Sequence, residues 1–520
     1  MKSAHVALLS ISSCAILCLV AVLKRRQSRA SRRRRVESNA FYRASQAAFA
    51  SHAAAASQPG PPPIADTSAD NAVVQASPSL PLLLLDEREL PLASIATGVA
   101  LAQADGRLNR AAVGFSRSPC HECRLPASLH YARRKRWNYW AITSDTHLFS
   151  VTIADLDYAG LVFAYLYDRT TRQLSEVELI APLAAGIRLG NRVESPARSA
   201  KSRWLAADFV NQLASRRDRI GDRASVTQLH TRCMDDARTD AGTNTAQTQQ
   251  QQQQQQGATT ARPRVKHALS SKLTVSYPAH HETLNVVIPW NDVEFHFTAK
   301  HTLLPVDGTV ELTDASGRVQ SVRFSAANNS YATLDFGRGR FPYDSTWNWG
   351  SFSSSVDPQC VSYFGPNEAE GRAFIAKRVA ADPRHRLPLA INIGALWTFG
   401  TGMCENAVCI GGKLFKISEE LRWQYNRDDW MQPWRMDTVL HPPVDASTDQ
   451  PIAHADQRIG LSLTFTPEFD RSATSDLLVV QSDVHQMLGT YSGTIVVPAL
   501  GLCIRIRDQF GWAEEHQARW

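Results

Sequence analysis

Residues 407–417, Ala407-Val408-Cys409-Ile410-Gly411-Gly412-Lys413-Leu414-Phe415-Lys416-Ile417, read as a β-hairpin. Two runs of strand-forming residues flank a glycine pair, and glycines supply the positive φ angles of a two-residue primed turn. Ser316-Gly317 stands in the same way between Val310-Glu311-Leu312 and Val319-Gln320-Ser321-Val322. Period-two alternation extends the pattern. Val293, Phe295 and Phe297 alternate with Asp292, Glu294, His296 and Thr298, and Leu461, Leu463 and Phe465 alternate with Ser462, Thr464 and Thr466. Both segments are expected to be half-buried strands. Leu161–Tyr167 is an apolar run of strand length. Long amphipathic helices are nearly absent, so the expected class is all-β, a sandwich or barrel. All 12 Trp residues follow position 136, several on strand-like segments, and strands of this kind closing a barrel would line it with aromatic rings.

A chain of 520 residues is long enough for two to four folded units. With 43% hydrophobic, 20% charged and 8% aromatic residues it is neither wholly disordered, nor fibrous, nor a polytopic membrane protein. The net charge of +7 is misleading as a nucleic-acid signal, because residues 1–50 hold ten basic residues against Glu37 alone, leaving 46 basic and 48 acidic residues elsewhere. The body is nearly neutral, and no nucleic-acid partner is expected.

The basic cluster has its own context. Val6 to Leu23 is uncharged over 18 residues, close to the roughly 20 that a spanning helix needs, and eight basic residues follow within a dozen. The expectation is an uncleaved single-pass membrane helix whose basic flank keeps the body in the cytosol and attracts anionic lipid. An Arg-rich organelle presequence is the alternative. On this reading residues 1–40 are anchor and basic flank, and 41–85, rich in Ala, Ser and Pro, are a disordered linker. Residues 86–300 form a first β-barrel half, with a low-complexity insertion at about 190–264 that includes Gln249–Gln256, and 301–520 form a second. A third irregular stretch spans about 355–387. The nine cysteines are too scattered for a disulfide framework. Cys120-His121-Glu122-Cys123 lacks the second ligand pair of a structural zinc site, and His280-His281-Glu282 and Lys300-His301 match no zinc spacing, so no metal is expected. No dinucleotide fingerprint or hydrolase elbow is present, and no cofactor is expected.

Several segments are more specific than generic β-sequence. In order they are Arg134-Lys135-Arg136-Trp137-Asn138-Tyr139-Trp140, Ala154-Asp155-Leu156-Asp157-Tyr158, His281–Trp290, Asp335-Phe336-Gly337-Arg338-Gly339, Trp347-Asn348-Trp349-Gly350, Thr401-Gly402-Met403-Cys404-Glu405-Asn406, Val484-His485-Gln486 and Gly511–Trp520. Together they closely resemble the family called domain of unknown function 2804, over about 105–190 and 265–520. That family is distantly similar to the lipocalin-like tandem barrels of the carotenoid hydratase and tocopherol cyclase type. The resemblance implies two lipocalin-like β-barrel halves; the residues alone imply only a β-rich body, and fold does not settle function.

Candidate chemistry clusters on these segments. Glu514 and His516 share one face of a strand and Glu515 takes the other, so a carboxylate beside an imidazole, near Trp512 and Trp520, could move protons. The plainer reading is a closing strand whose polar groups bond to backbone. Asp335 and Arg338 flank glycines that allow close ligand approach, or they form an internal salt bridge. Trp347 and Trp349 share a face that suits a flat ligand, with Asn348 orienting its polar end; ordinary core packing is the alternative. Glu405, if buried, could act as a general acid, with Asn406 beside it. The candidate catalytic residues are therefore Glu514, His516, Glu405 and Asp335, and the candidate ligand-binding residues are Trp347, Asn348, Trp349, Arg338, Asn406 and Trp512. The first expectation is a protein that binds a hydrophobic small molecule or lipid, such as an isoprenoid, in an apolar cavity at a membrane. The second is an enzyme performing acid–base hydration, cyclisation or isomerisation on such a lipid, and the third a scaffold. An enzyme should aim a desolvated carboxylate at ligand space, whereas a binder needs only apolar walls and a polar mouth.

Overall fold

The computed structural model describes residues 83–126, 130–198, 205–212, 224–234, 268–314, 316–444, 450–451, 457–477 and 480–519. The expected anchor, most of the expected linker, the glutamine tract and Trp520 lie outside the described residues. Among the described residues no helix is long and apolar enough to cross a membrane.

The described chain is predominantly β, as expected, and is organised as two large sheets beside a small two-stranded one. The first sheet uses β1 (Arg134–Thr143), β2 (His147–Asp155), β3 (Ala159–Asp168), β4 (Gln173–Pro182), β5 (Leu205–Gln212), β6 (Ser225–Met234), β7 (Ala268–Tyr277), β8 (Leu284–Pro289), β9 (Phe295–Thr313) and β10 (Tyr331–Arg340). Their order is β4-β3-β2-β1-β10-β9-β7-β6-β5, with β8 added beside β9. The second sheet uses β11 (Asp344–Val356), β12 (Leu387–Ala395), β13 (Ala407–Ile410), β14 (Lys413–Lys416), β15 (Arg422–Gln424), β16 (Trp434–Asp437), β17 (Gly460–Leu477), β18 (Val480–Val497) and β19 (Leu502–Arg519). Their order is β14-β13-β12-β11-β19-β18-β17-β16-β15. The labelled ladders are antiparallel, so short turns suffice to join sequence neighbours.

Each sheet curls about its own apolar core. Trp140, Ile142, Phe149 and Val162 meet Leu229, Leu269 and Leu273 from strands far along the first sheet. In the second, Phe352, Ile391, Trp423, Trp434, Phe465, Tyr491 and Ile504 share one core. The Gly411-Gly412 turn forms as read, with φ of 53° and 81° between β13 and β14. Gly317, with φ of 83°, turns β9 into the strand Val319–Phe324.

Three expectations are corrected. Residue 300, where the join between halves was placed, lies inside β9; the chain passes from one sheet to the other at residues 341–343, after β10. The 190–264 segment is not wholly an insertion. β6 pairs with β5 on one side and over ten residues with β7 on the other, and its Leu229 enters the first core. The 355–387 stretch contains the helix α1, Glu368–Ala381, which anchors through Ile375 and begins with Glu368 and Glu370 at its N-terminus, where carboxylates favour helix formation.

The sheets pack on each other's outer faces. Tyr139, Ala141, Leu148, Tyr165 and Tyr167 of the first sheet meet Trp349, Leu488, Phe510 and Trp512 of the second. This explains a further difference from expectation. The alternation predicts a half-buried strand here, yet His296 and Thr298 are as buried as Phe295 and Phe297. Its polar face is covered by the second sheet rather than by water, whereas the polar face of β17 at Ser462, Thr464 and Thr466 remains largely open.

Candidate active site between the two sheets

Strand periodicity selects which side chains meet between the sheets. On β9 the even positions His296, Thr298 and Lys300 face outward from the first core, and on β10 the odd positions Asp335, Gly337 and Gly339 pair opposite them. On β1 the residues Trp137 and Tyr139 join the same face. From the second sheet β11 contributes Trp347 and Trp349, β19 contributes Trp512 and Glu514, and the segment before β13 contributes Glu405.

Lys300 is the centre of this cluster. Its Nζ lies 2.9 Å from Asp335 Oδ2, 3.4 Å from Glu405 Oε2 and 4.2 Å from the Trp349 ring centroid. Burial pulls the ammonium pKa down, but Asp335 and then Glu405 more than offset this, holding it above the usual lysine value. Thr298 Oγ1 adds a hydrogen bond to Asp335 at 3.3 Å. Glu405 Oε1 accepts from Trp397 Nε1 at 2.9 Å. Burial pushes the Glu405 carboxyl up, with Lys300 opposing. Glu514 accepts from Trp347 Nε1 at 3.2 Å and from Gln486 Nε2 at 3.0 Å. Burial drives its pKa up to about 7, against the pull of these donors and of Lys300. Gln486 Oε1 in turn accepts from Tyr165 at 3.0 Å and from Arg471 at 3.2 Å, so its amide is oriented with the NH₂ toward Glu514.

The cluster is desolvated but not sealed. The Asp335 and Lys300 side chains keep 11% and 6% of their exposure, and Trp137, Trp290 and Trp347 above them are half-buried. Two hollows lie elsewhere. One of about 500 Å³ is lined by Glu87, Arg117, Lys413 and Lys416 among others, and one of about 390 Å³ by His230, Arg232 and Lys272 among others.

Of the expected catalytic residues, Asp335, Glu405 and Glu514 converge and His516 does not. His516 bonds Ser482 Oγ at 2.8 Å and packs against Trp347, and burial lowers its pKa to about 3, which removes it as a base near neutrality. Trp347, Trp349 and Trp512 line the junction; Trp349 also donates to Asn392 Oδ1 at 2.9 Å. The remaining three turn away. Arg338 points into the first sheet's interior and donates to the Gly190, Trp137 and Gly337 carbonyls and to Asn138 Oδ1. It makes no salt bridge with Asp335, because residues three apart on a strand lie on opposite faces. Asn348 faces the second core and donates to Tyr425 OH and Glu514 O, at 3.0 and 3.3 Å. Asn406 bonds the Gly394 N–H and the Glu419 carbonyl. Lys300, Trp137 and Gln486 stand in segments noted from the sequence but carry no role there, and Trp397 stands in none of them. A lysine in the buried part of a strand was the one available signal for the first. Among the described residues no group of three or more His, Cys, Asp or Glu could hold a metal ion.

The arrangement thus places three buried carboxyl groups, one ammonium and several indole faces together at the junction of the two sheets. Comparison with solved structures returns distant likenesses. CghA, also solved with Sch210972, has a TM-score of 0.36 and 8% identity, over 84% of this chain and 97% of its own. Kievitone hydratase from Nectria haematococca has a TM-score of 0.31 and 7% identity, over 76% and 90%. At these values neither carries an argument about this chain's chemistry. Among curated proteins no sequence matches. Residues 93–520 match the model described as Domain of unknown function (DUF2804), which is most of the chain, and the protein belongs to that family.

Proposed function

We propose that this protein is an enzyme that moves protons on an uncharged, hydrophobic small molecule of lipid or isoprenoid type, in hydration, cyclisation or isomerisation. The observation that carries the reading is Glu514. It is a desolvated carboxylate with a pKa of about 7, joined to the half-buried indole of Trp347 at the aromatic junction between the sheets. A simple binder has no use for such a group, since burying an ionisable carboxyl costs stability that apolar walls would not. On this reading the ligand enters at the junction between two lipocalin-like barrel halves, beside Trp347, rather than inside either half. Glu514 supplies the proton to a carbon of the bound ligand, and Glu405 or Asp335 accepts the proton that the cationic or enolic product gives up. Lys300 stays charged throughout and stabilises the Glu514 carboxylate that the first transfer leaves behind, while the acceptor becomes a neutral acid. The Val6–Leu23 helix and its basic flank hold the body at the cytosolic face of a membrane, where such ligands partition.

The test is deuterium incorporation. The protein is incubated with a lipid extract of its native host in D₂O, and the extract is searched by mass spectrometry for compounds that gain deuterium. Proton transfer to carbon labels the substrate even where no net conversion occurs. A compound labelled by the wild type and not by Glu514→Gln supports the reading. Compounds that bind and emerge unlabelled with both proteins would replace it with a carrier or binding role.

A further inference from the structure

Next to the charged cluster lies a second group that acid–base chemistry does not use. His296 is wholly enclosed, with 0% exposure, and neither ring nitrogen meets a protein hydrogen-bond partner. Burial, with Lys300 and Arg338 adding to it, holds its pKa far below the usual value, so the ring is neutral and carries one N–H donor and one acceptor. Aromatic rings surround it. Trp137 stacks on it at 4.7 Å, with 17° between the planes, Phe341 lies at 4.5 Å and Trp397 at 6.0 Å. Trp290 closes the group, 5.0 Å from Phe341. Two glycines on the facing strand make this packing possible. A Cβ at Gly339 would stand 2.5 Å from His296 Nδ1, and one at Gly337 would stand 2.2 Å from the Trp137 ring. The cage is tied to the acid cluster, because Trp397 donates to Glu405 and Trp290 donates to the Trp397 carbonyl.

Phe341 is the informative wall. It belongs to residues 341–343, the connection between the sheets, rather than to a strand. Its ring is stacked on Trp397 at 5.6 Å with 18° between planes, in the middle of the group. The cage thus already accommodates one flat six-membered ring, carried on a short connection, within reach of an imidazole whose hydrogen-bonding capacity is unused. Leaving a buried donor and acceptor unmet costs stability, and an all-carbon ring at position 296 would avoid that cost.

We propose that His296 is the polar anchor of a recognition site for a flat, uncharged aromatic or conjugated ring bearing a hydroxyl group, and that the ligand ring takes the place of Phe341. The hydroxyl bonds the His296 imidazole, the ring stacks against Trp397 and Trp137, and the rest of the molecule extends past Trp347 toward Glu514. This deepens the proton-transfer reading by naming the ligand class. Its readout is binding rather than turnover, so it stands or falls separately.

The experiment compares 2-naphthol with naphthalene by quenching of tryptophan fluorescence, using the full chain. Wild type should bind 2-naphthol about tenfold more tightly than naphthalene, since the hydroxyl satisfies buried groups that naphthalene leaves unmet. Phe341→Ala should tighten both several-fold and keep the ratio. His296→Phe should bring the ratio to within about twofold while melting no lower than wild type, and His296→Gln, which retains a donor and an acceptor, should keep part of the preference. Equal affinity for the two probes in both wild type and Phe341→Ala, or an unchanged ratio in His296→Phe, overturns the proposal and leaves His296 as packing.

Discussion

Lys300, on the first sheet, holds its Nζ 3.4 Å from Glu405 Oε2, on the second, in a space that water scarcely reaches. The two sheets are therefore joined by charge as well as by aromatic packing. Lys300 also answers to Asp335, so a single ammonium serves carboxylates on two separate elements.

Removing that ammonium should cost more than removing either partner. Lys300→Met leaves Asp335 without its counter-charge, and breaking a buried ion pair from one side costs about 3–5 kcal/mol. Adding Asp335→Asn to the same chain should recover part of the loss. Urea unfolding of the two singles and the double decides the point, and strict additivity would mean that the pair is not coupled.

Glu514 makes a signed prediction about pH. Its pKa rises from 4.5 to about 7 on folding, so the native state keeps a proton that the unfolded chain gives up. Its contribution is full below pH 4.5 and is lost progressively as pH rises through about 7, an effect on the order of 3 kcal/mol. Glu514→Gln should flatten that part of the stability profile. Turnover should fall about 10²–10⁴-fold in the same variant and, in wild type, should decline above about pH 7 as the donor ionises.

Glu420 behaves similarly, again because it is buried. It is buried, neither carboxylate oxygen has a hydrogen-bond partner, and burial, with Glu87 adding to it, lifts its pKa to about 8. As pH rises from 4.5 through 8 its stabilising proton is lost. Glu420→Gln should melt higher than wild type at pH 9 and about level with it at pH 5. A variant that melts lower at both values would show that the carboxyl makes contacts beyond its charge.

The segment around the glutamines divides into two predictions. Deleting 225–262 removes β6, which is laddered on both sides, and should abolish cooperative unfolding of the first sheet. Deleting 240–260 removes none of the ladder positions found among the described residues and should leave the melting temperature within a few degrees of wild type. Differential scanning calorimetry separates the outcomes.

The N-terminal segment predicts retention in alkaline carbonate. Full-length protein should stay with washed membranes, and a chain lacking residues 1–40 should be released. Release of the full-length protein would end the anchor reading.

What could be read from residues alone was local. The Gly411-Gly412 turn needs positive φ whatever surrounds it, and the alternation at Leu461–Thr466 describes one strand with one wet face, which is what forms. Opposite faces for Glu514 and Glu515, and a shared face for Trp347 and Trp349, likewise follow from the two-residue period. The same period misled at β9. Alternation shows that His296 and Lys300 lie on the face opposite Phe295 and Phe297; it carries no information about whether water or another sheet covers that face. Asp335, Glu405 and Glu514 were singled out one by one, but nothing within any of their segments placed them around one lysine. Their convergence depends on β10 pairing beside β9 and on the second sheet packing against that face, contacts between residues far apart in the chain. Local backbone preference acts within a few residues and is written in them; the burial of a polar face, and the pKa shifts that follow from it, exist only once two distant surfaces have excluded the water between them.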